Sequence, residues 1–208
     1  MSKDLFDVER LYRARTTGEL IDEYDRVAIG YDRALLDEHA WCAPEILAGV
    51  AAWLLPRDSR ILDAACGTGL VGDGLRRLGF AALHGLDLSP GMLAVARQKG
   101  CYEGTTLAAL GDRLPFADHA FDAFCVCGAF TPRHAPAESL DELVRITRPG
   151  GYGIFTLRAD DPAPGFDARI AALADAGRWT LLHVGTDFQS LPKAEPHVRN
   201  RIHVYRIA

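Results

Sequence analysis

The chain has 208 residues, 49% of them hydrophobic and 25% charged, with a formal net charge of −5. That length suits one domain of ordinary size with a real core. The acidic balance argues against a nucleic-acid binder, whose surface is normally basic.

Residues 5–55 read as helical, because Leu20, Ile21, Tyr24, Ala28, Tyr31 and Leu35 recur at helical spacing among charges. Arg10, Arg13 and Arg15 make a small basic patch there, read as a solvated helix face. Pro44 opens a second helix that runs to Trp53 and is ended by Pro56. The first residues, Met-Ser-Lys-Asp-Leu-Phe-Asp, lack the apolar core of a signal peptide, and the longest apolar run, 46–55, is too short to span a bilayer. The expectation is a cytoplasmic protein without a membrane partner.

From Arg60 the pattern becomes alternating short strands and helices. Residues 61–66 form an apolar strand, followed by a glycine-rich turn and a helix through Leu78. Residues 82–88 form the next strand, and Ser89-Pro90 then supplies an N-cap with proline at the first helical position. Strands are expected at 105–110 and 120–128, then an amphipathic helix at 138–146, stopped by Arg148-Pro-Gly-Gly151. A strand at 152–157, a helix at 166–176 and strands at 179–184 and 202–206 complete the chain. The alternation implies a parallel sheet covered on both faces. The last two strands lack a helical crossover, which parallel neighbours normally need, so they read as an antiparallel pair.

Five cysteines, Cys42, Cys66, Cys101, Cys125 and Cys127, contain no Cys-x-x-Cys pair and are odd in number. They imply neither a disulfide framework nor a zinc site, and no metal is expected. Cys125 and Cys127 fall on one face of a strand, where a thiol serves as a packing residue.

The glycine-rich turn has two readings. Gly67-Thr-Gly69-Leu-Val-Gly72 fits G-x-G-x-x-G, and Asp87 follows about twenty residues later, the fingerprint of a dinucleotide site. A pyrophosphate, however, wants helix-terminal N–H groups and no anion beside it. Asp63 lies four residues before Gly67, inside the strand. Its carboxylate suits a ligand that carries an amino group and a sulfonium, as S-adenosylmethionine does; alternatively it caps the loop's own N–H groups. Gly67 and Gly69 let the backbone turn tightly and approach the ligand. Asp87 would accept from both ribose hydroxyls, or compete as an N-cap for the helix after Ser89. Met92 lies against the adenine or fills the core.

These residues match a known pattern. Asp63-Ala-Ala-Cys-Gly-Thr-Gly69, Gly85-Leu-Asp87-Leu-Ser89-Pro-Gly-Met-Leu93, Leu114-Pro-Phe116 with Phe121-Asp122, and Arg148-Pro-Gly-Gly151 follow in order. Across residues 58–158 the chain resembles the class I S-adenosylmethionine-dependent methyltransferases with the methyltransferase type 11 signature. Ile61-Leu-Asp-Ala-Ala-Cys-Gly-Thr-Gly-Leu-Val71, Gly79-Phe, Leu83-His-Gly-Leu-Asp87, Gly128-Ala-Phe130 and Val204-Tyr-Arg206 are similar to the Williams–Beuren-region methyltransferase-like proteins. The resemblance implies an α/β Rossmann-like sheet of seven strands in the order 3-2-1-4-5-7-6, strand 7 antiparallel. Residues 57–208 would form the methyltransferase domain, and residues 1–56 a helical lid that closes with it into one compact unit.

The resemblance also implies a cofactor site. S-adenosylmethionine, with S-adenosylhomocysteine as product, would be held by Asp63, Ala65, Cys66, Gly67, Gly69, Asp87, Leu88, Met92, Gly111, Asp112, Arg113 and Cys127. Two positions depart from the pattern. Ala65 stands where the first glycine of the loop is usual, and its extra methyl is expected to be tolerated. The acid that usually meets the adenine amino group is displaced, so that Leu110 occupies its slot and Asp112, or backbone near Gly111, takes over.

Cys127, Phe130, Thr131, Arg133 and His134 follow the fourth strand, where the transferred methyl sits in similar enzymes. His134 is either a general base or a solvated loop residue. Tyr24 and Tyr31, two turns apart on one helix face, either cover the cofactor or pack with wet hydroxyls, and His203 reads as structural. The chain lacks an Asn/Asp-Pro-Pro-aromatic segment, a Pro-Cys nucleophile and room for a target-recognition insert. A small-molecule substrate is therefore favoured over DNA, RNA or protein. The alternatives are a cofactor-binding protein without turnover of its own and, more remotely, an NAD-dependent oxidoreductase.

Overall fold

A computed structural model describes residues 16–131 and 134–208. Arg10, Arg13, Arg15 and Arg133, together with the start of the expected first helix, lie outside the described residues.

Helix α1 (Thr17–Arg33) starts at Thr16, whose hydroxyl accepts the Glu19 amide at 3.2 Å. It runs into a π-helical turn (Ala34–Glu38) that the apolar spacing does not reveal. Helix α2 (Ala43–Leu54) carries Pro44 in its first turn, as expected, and buries Ala43, Leu47, Ala48 and Ala51 along one stripe. There follow β1 (Ile61–Ala64), α3 (Leu70–Arg77), β2 (Leu83–Asp87), α4 (Pro90–Lys99), β3 (Gly104–Leu107) and β4 (Phe121–Val126). The chain continues through α5 (Ser139–Ile146), β5 (Thr147–Arg158), α6 (Phe166–Asp175), β6 (Trp179–Val184), β7 (Phe188–Gln189) and β8 (Arg199–Ile207). Ser89 caps α4 by accepting the Met92 amide at 2.9 Å, ahead of Pro90.

The strands pair in the order β3-β2-β1-β4-β5-β8-β6. The first five are mutually parallel, while β8 runs antiparallel to both neighbours. The expected architecture is therefore present with one addition, the two-residue β7, which pairs Phe188 with Asn200 and Gln189 with Arg199. It makes the sheet eight-stranded, and the last strand takes the place of the expected strand 7. Two residues are too few for period-2 alternation to register.

A second difference concerns Arg148-Pro-Gly-Gly151. The helix ends at Ile146, as expected, but Thr147 directly after it is already extended and donates its hydroxyl to the Leu143 carbonyl at 2.8 Å. Thr147 already pairs with Phe121, and Tyr152 is next in register opposite Ala123. The proline and glycines are thus a bulge inside β5, where proline's missing N–H costs no ladder bond.

Side-chain alternation distributes the core. Phe124 and Val126 of β4 face a cluster with Leu62, Phe155, Leu143 and Phe166, under α5 and α6. Ala123, Cys125 and Cys127 face the opposite cluster with Ile61, Leu47 and Leu75, under α2 and α3. The shared face expected for the two thiols is observed. Both layers bury fully apolar side chains, which at about 25 cal/mol per Å² is the main force holding the sheet. Strand order reverses between β1 and β4, and the carboxyl ends there open a crevice, the usual ligand position in such sheets.

Candidate functional site

A cavity of about 390 Å³ occupies that crevice. Its floor is the β1–α3 loop, because Gly67 adopts φ +53° with open space where a Cβ would point. Ala65 also sits in the left-handed region, at φ +58°. For a residue with a Cβ this conformation costs about 1–2 kcal/mol, so the missing glycine is tolerated at a measurable cost. Asp63, Ala65, Cys66 and Gly67 line the cavity from this loop, and Asp87, Leu88 and Met92 from the end of β2 and the start of α4. Gly111, Asp112, Cys127 at the head of β4, Tyr24, Tyr31 and His134 also line it.

Two of the expected residues lie elsewhere. Arg113 is exposed and turned toward Glu142 of α5, 4.0 Å away. Gly69 is absent from the cavity wall. Its φ of +89° makes the tight turn, but a Cβ there would meet the Tyr102 ring at 3.1 Å rather than a ligand. Gly69 thus makes the expected tight turn and faces the Tyr102 ring.

The two buried acids are held differently. Asp87 Oδ2 accepts the Gly67 amide at 2.8 Å and Oδ1 the Ser89 amide at 2.9 Å, so it clasps the two loops that frame the floor. Burial raises its carboxyl above the ordinary range, against the lowering effect of those amides. Asp63 Oδ2 accepts the Gly72 amide at 3.1 Å and the Tyr102 hydroxyl at 2.5 Å. Burial pushes its carboxyl up to about 7, with Tyr102 and Gly72 pulling down and Asp87 pushing further up. The loop-capping role of Asp63 is thus present, and the same carboxyl borders the cavity. Met92 packs with Val27 and Ala28 and also lines the cavity.

Several contributors escape sequence reasoning. Trp41 lines the cavity beside Gly128, where a Cβ would come within 3.0 Å of its ring. Asp25 of α1 accepts Ser89 Oγ at 2.5 Å and the Gly91 amide at 2.8 Å. Asp32, seven residues on, accepts Thr68 Oγ1 at 2.5 Å and pairs with Lys99 at 2.6 Å. Acids at that spacing share a helix face, the one signal that could have marked them as docking rather than solvated. Thr131 Oγ1 and His134 Nδ1 are 2.9 Å apart, and the His134 ring meets Tyr24 edge-on at 5.9 Å. Burial pushes the Cys66 and Cys127 thiols well up, so both stay protonated.

The donor set fits a cationic ligand. Three carboxylates (Asp63, Asp87 and Asp112) line the cavity, with no Lys or Arg among its described lining residues.

The fold and this site define a class, and comparison with known proteins agrees. Residues 62–155 match the family model for a methyltransferase domain. The chain belongs to the class I S-adenosylmethionine-dependent methyltransferases. It is 37% identical over 164 residues to methyltransferase-like protein 27 of Homo sapiens, covering 75% of this chain and 66% of that protein. It is 29% identical over 174 residues to a demethylmenaquinone methyltransferase of Clavibacter sepedonicus, covering 77% and 68%. Among solved structures, a TehB-like SAM-dependent methyltransferase from Corynebacterium glutamicum superposes with a TM-score of 0.68 at 20% identity, over 90% of this chain and all of that one.

Proposed function

We propose that the chain binds S-adenosylmethionine in this cavity and methylates a small, partly aromatic acceptor enclosed by α1. The observation that carries the proposal is the pair of buried carboxylates, Asp63 and Asp87, in a cavity whose described wall holds no cation. A dinucleotide would bring two phosphate charges against these acids, whereas a ligand with an ammonium and two ribose hydroxyls satisfies them. S-adenosylmethionine, when bound, supplies a methyl group already activated on a sulfonium.

The protein's own contribution is then binding and orientation. In this reading Asp87 takes the ribose hydroxyls, Asp63 faces the amino-acid end, and Met92 with the Gly111–Asp112 backbone brackets the adenine. Tyr24, Tyr31 and Trp41 wall the acceptor side and exclude water, which favours reactions in which charge disappears. Orientation of this kind contributes about 7–11 kcal/mol to barrier lowering. His134, held at Nδ1 by Thr131, is the group placed to take a proton from a hydroxyl or amine acceptor. Helix α1 serves as the lid. The likeness to a demethylmenaquinone methyltransferase supports an aromatic small-molecule acceptor.

The test is a turnover screen that follows S-adenosylhomocysteine release across phenols, quinols, thiols, carboxylates and amines. Release with phenols or quinols supports the proposal. Binding without release from any class would instead favour a cofactor-binding protein without turnover.

A further inference from the structure

Tyr102, in the connection between α4 and β3, does not line the cavity, yet the glycine-rich segment is built around its ring. A Cβ at Gly72 would lie 2.3 Å from the ring's Cζ, and one at Gly85 or Gly69 would lie 3.1 Å from Cε2. Three glycines from the β1–α3 loop, α3 and β2 thus form a slot that admits the ring edge and aims its hydroxyl inward. The hydroxyl ends 2.5 Å from Asp63 Oδ2, the oxygen that also takes the Gly72 amide. Both hydrogen bonds fall on one oxygen of a carboxylate that borders the cavity.

We propose that Tyr102 is a positioning residue for the cofactor site. It holds Asp63 Oδ2 from behind and thereby presents Oδ1 to the amino group of the ligand. The proposal rests on the cofactor reading above only for the identity of that ligand. It also changes the meaning of G-x-G-x-x-G in this chain: Gly67 serves the ligand side, whereas Gly69 and Gly72 serve the tyrosine.

Donation from Tyr102 favours ionised Asp63. The other groups that face Asp63 are Asp87 on β2, Lys99 at the end of α4, and the thiols of Cys66, Cys101, Cys125 and Cys127. The thiols and Tyr102 itself are raised by burial and stay protonated near neutrality. The charges that shape the Asp63 titration are therefore Asp87 and Lys99, and neither is altered by removing the Tyr102 hydroxyl.

The experiment is an NMR titration of the ligand-free protein with labelled aspartate carboxyl carbons, Asp63 being assigned with Asp63→Asn. Tyr102→Phe keeps the ring and is expected to move the Asp63 midpoint up by about 1–2 pH units, the value of one hydrogen bond to a charged group. An unchanged midpoint overturns the proposal. Should the variant fold poorly, labelled tyrosine Cζ in the unaltered protein gives the same answer. The Tyr102 resonance is expected to shift at the Asp63 midpoint, and no shift there overturns the proposal. S-adenosylhomocysteine binding should then be about three- to twenty-five-fold weaker in Tyr102→Phe at pH 7.5, with the gap narrowing as pH rises. A loss equal at every pH would mean a packing role only. If the midpoint moves but neither protein binds S-adenosylhomocysteine, the cofactor reading fails while the hold of Tyr102 on Asp63 stands.

Discussion

Asp25 on α1 accepts a 2.5 Å hydrogen bond from Ser89 Oγ, the residue that caps α4. The same oxygen takes the Gly91 amide, and a Cβ on Gly91 would lie 2.9 Å from the Asp25 Cα, so α1 rests directly on the N-terminus of α4. Negative charge is favoured at that helix end. Asp25→Ala should therefore loosen α1 over the cavity. We expect a stability loss of about 1–2 kcal/mol in urea denaturation, with faster amide exchange confined to α1. Unchanged exchange across residues 17–33 would show that α1 is held by its apolar contacts alone.

Ala65 carries the left-handed φ of +58° that glycine adopts without penalty. Ala65→Gly should stabilise the protein by about 1 kcal/mol, the relief of a strained Cβ less the added freedom of the unfolded chain. Affinity for S-adenosylhomocysteine should stay within about threefold, since no side-chain polar contact is removed. A destabilised variant would mean that the alanine methyl packs usefully against the loop.

Asp87 clasps the Gly67 and Ser89 amides and borders the cavity. Asp87→Ala is expected to weaken S-adenosylhomocysteine binding by roughly ten- to a hundredfold. Asp87→Asn can still accept one of those amides and should fall between the two. Calorimetry on both variants checks this ordering.

Asp63 makes a prediction about pH. Its folded carboxyl titrates at about 7, above the ordinary 3.8. Between those values the folded protein holds a proton that the unfolded chain has lost, so stability contributed by Asp63 falls as pH rises through this window. The slope is roughly 1.4 kcal/mol per pH unit. Asn can accept the same two hydrogen bonds without a charge. Asp63→Asn should accordingly gain on the unaltered protein between pH 4 and pH 7, with a constant difference above that. Thermal or urea unfolding across pH 4 to 8.5 measures it, and parallel curves would place the Asp63 titration outside the window.

Much of the fold was legible because its elements are marked locally. The 61–64 and 121–126 strands are short apolar runs, and Ser89-Pro90 signals a helix start by its own chemistry. The beginning of β5 was not, since a proline-glycine bulge looks like a stop until the pairing of Thr147 with Phe121 is seen. The site divides in the same way. The cradle residues sit within one segment and its neighbours, and their types carry the signal. Tyr102 reaches Asp63 across 39 positions and Asp25 reaches Ser89 across 64. Contacts at that separation leave no spacing rule in the chain. Gly72 shows the consequence, because its open side admits a tyrosine ring that only the folded structure places there.

The most direct test of the central claim is titration calorimetry of the full chain with S-adenosylhomocysteine and, separately, with NAD. The acidic, cation-poor wall predicts micromolar or tighter binding of S-adenosylhomocysteine, about −8 kcal/mol or better, and no measurable heat with NAD. Binding of NAD without S-adenosylhomocysteine would contradict the account.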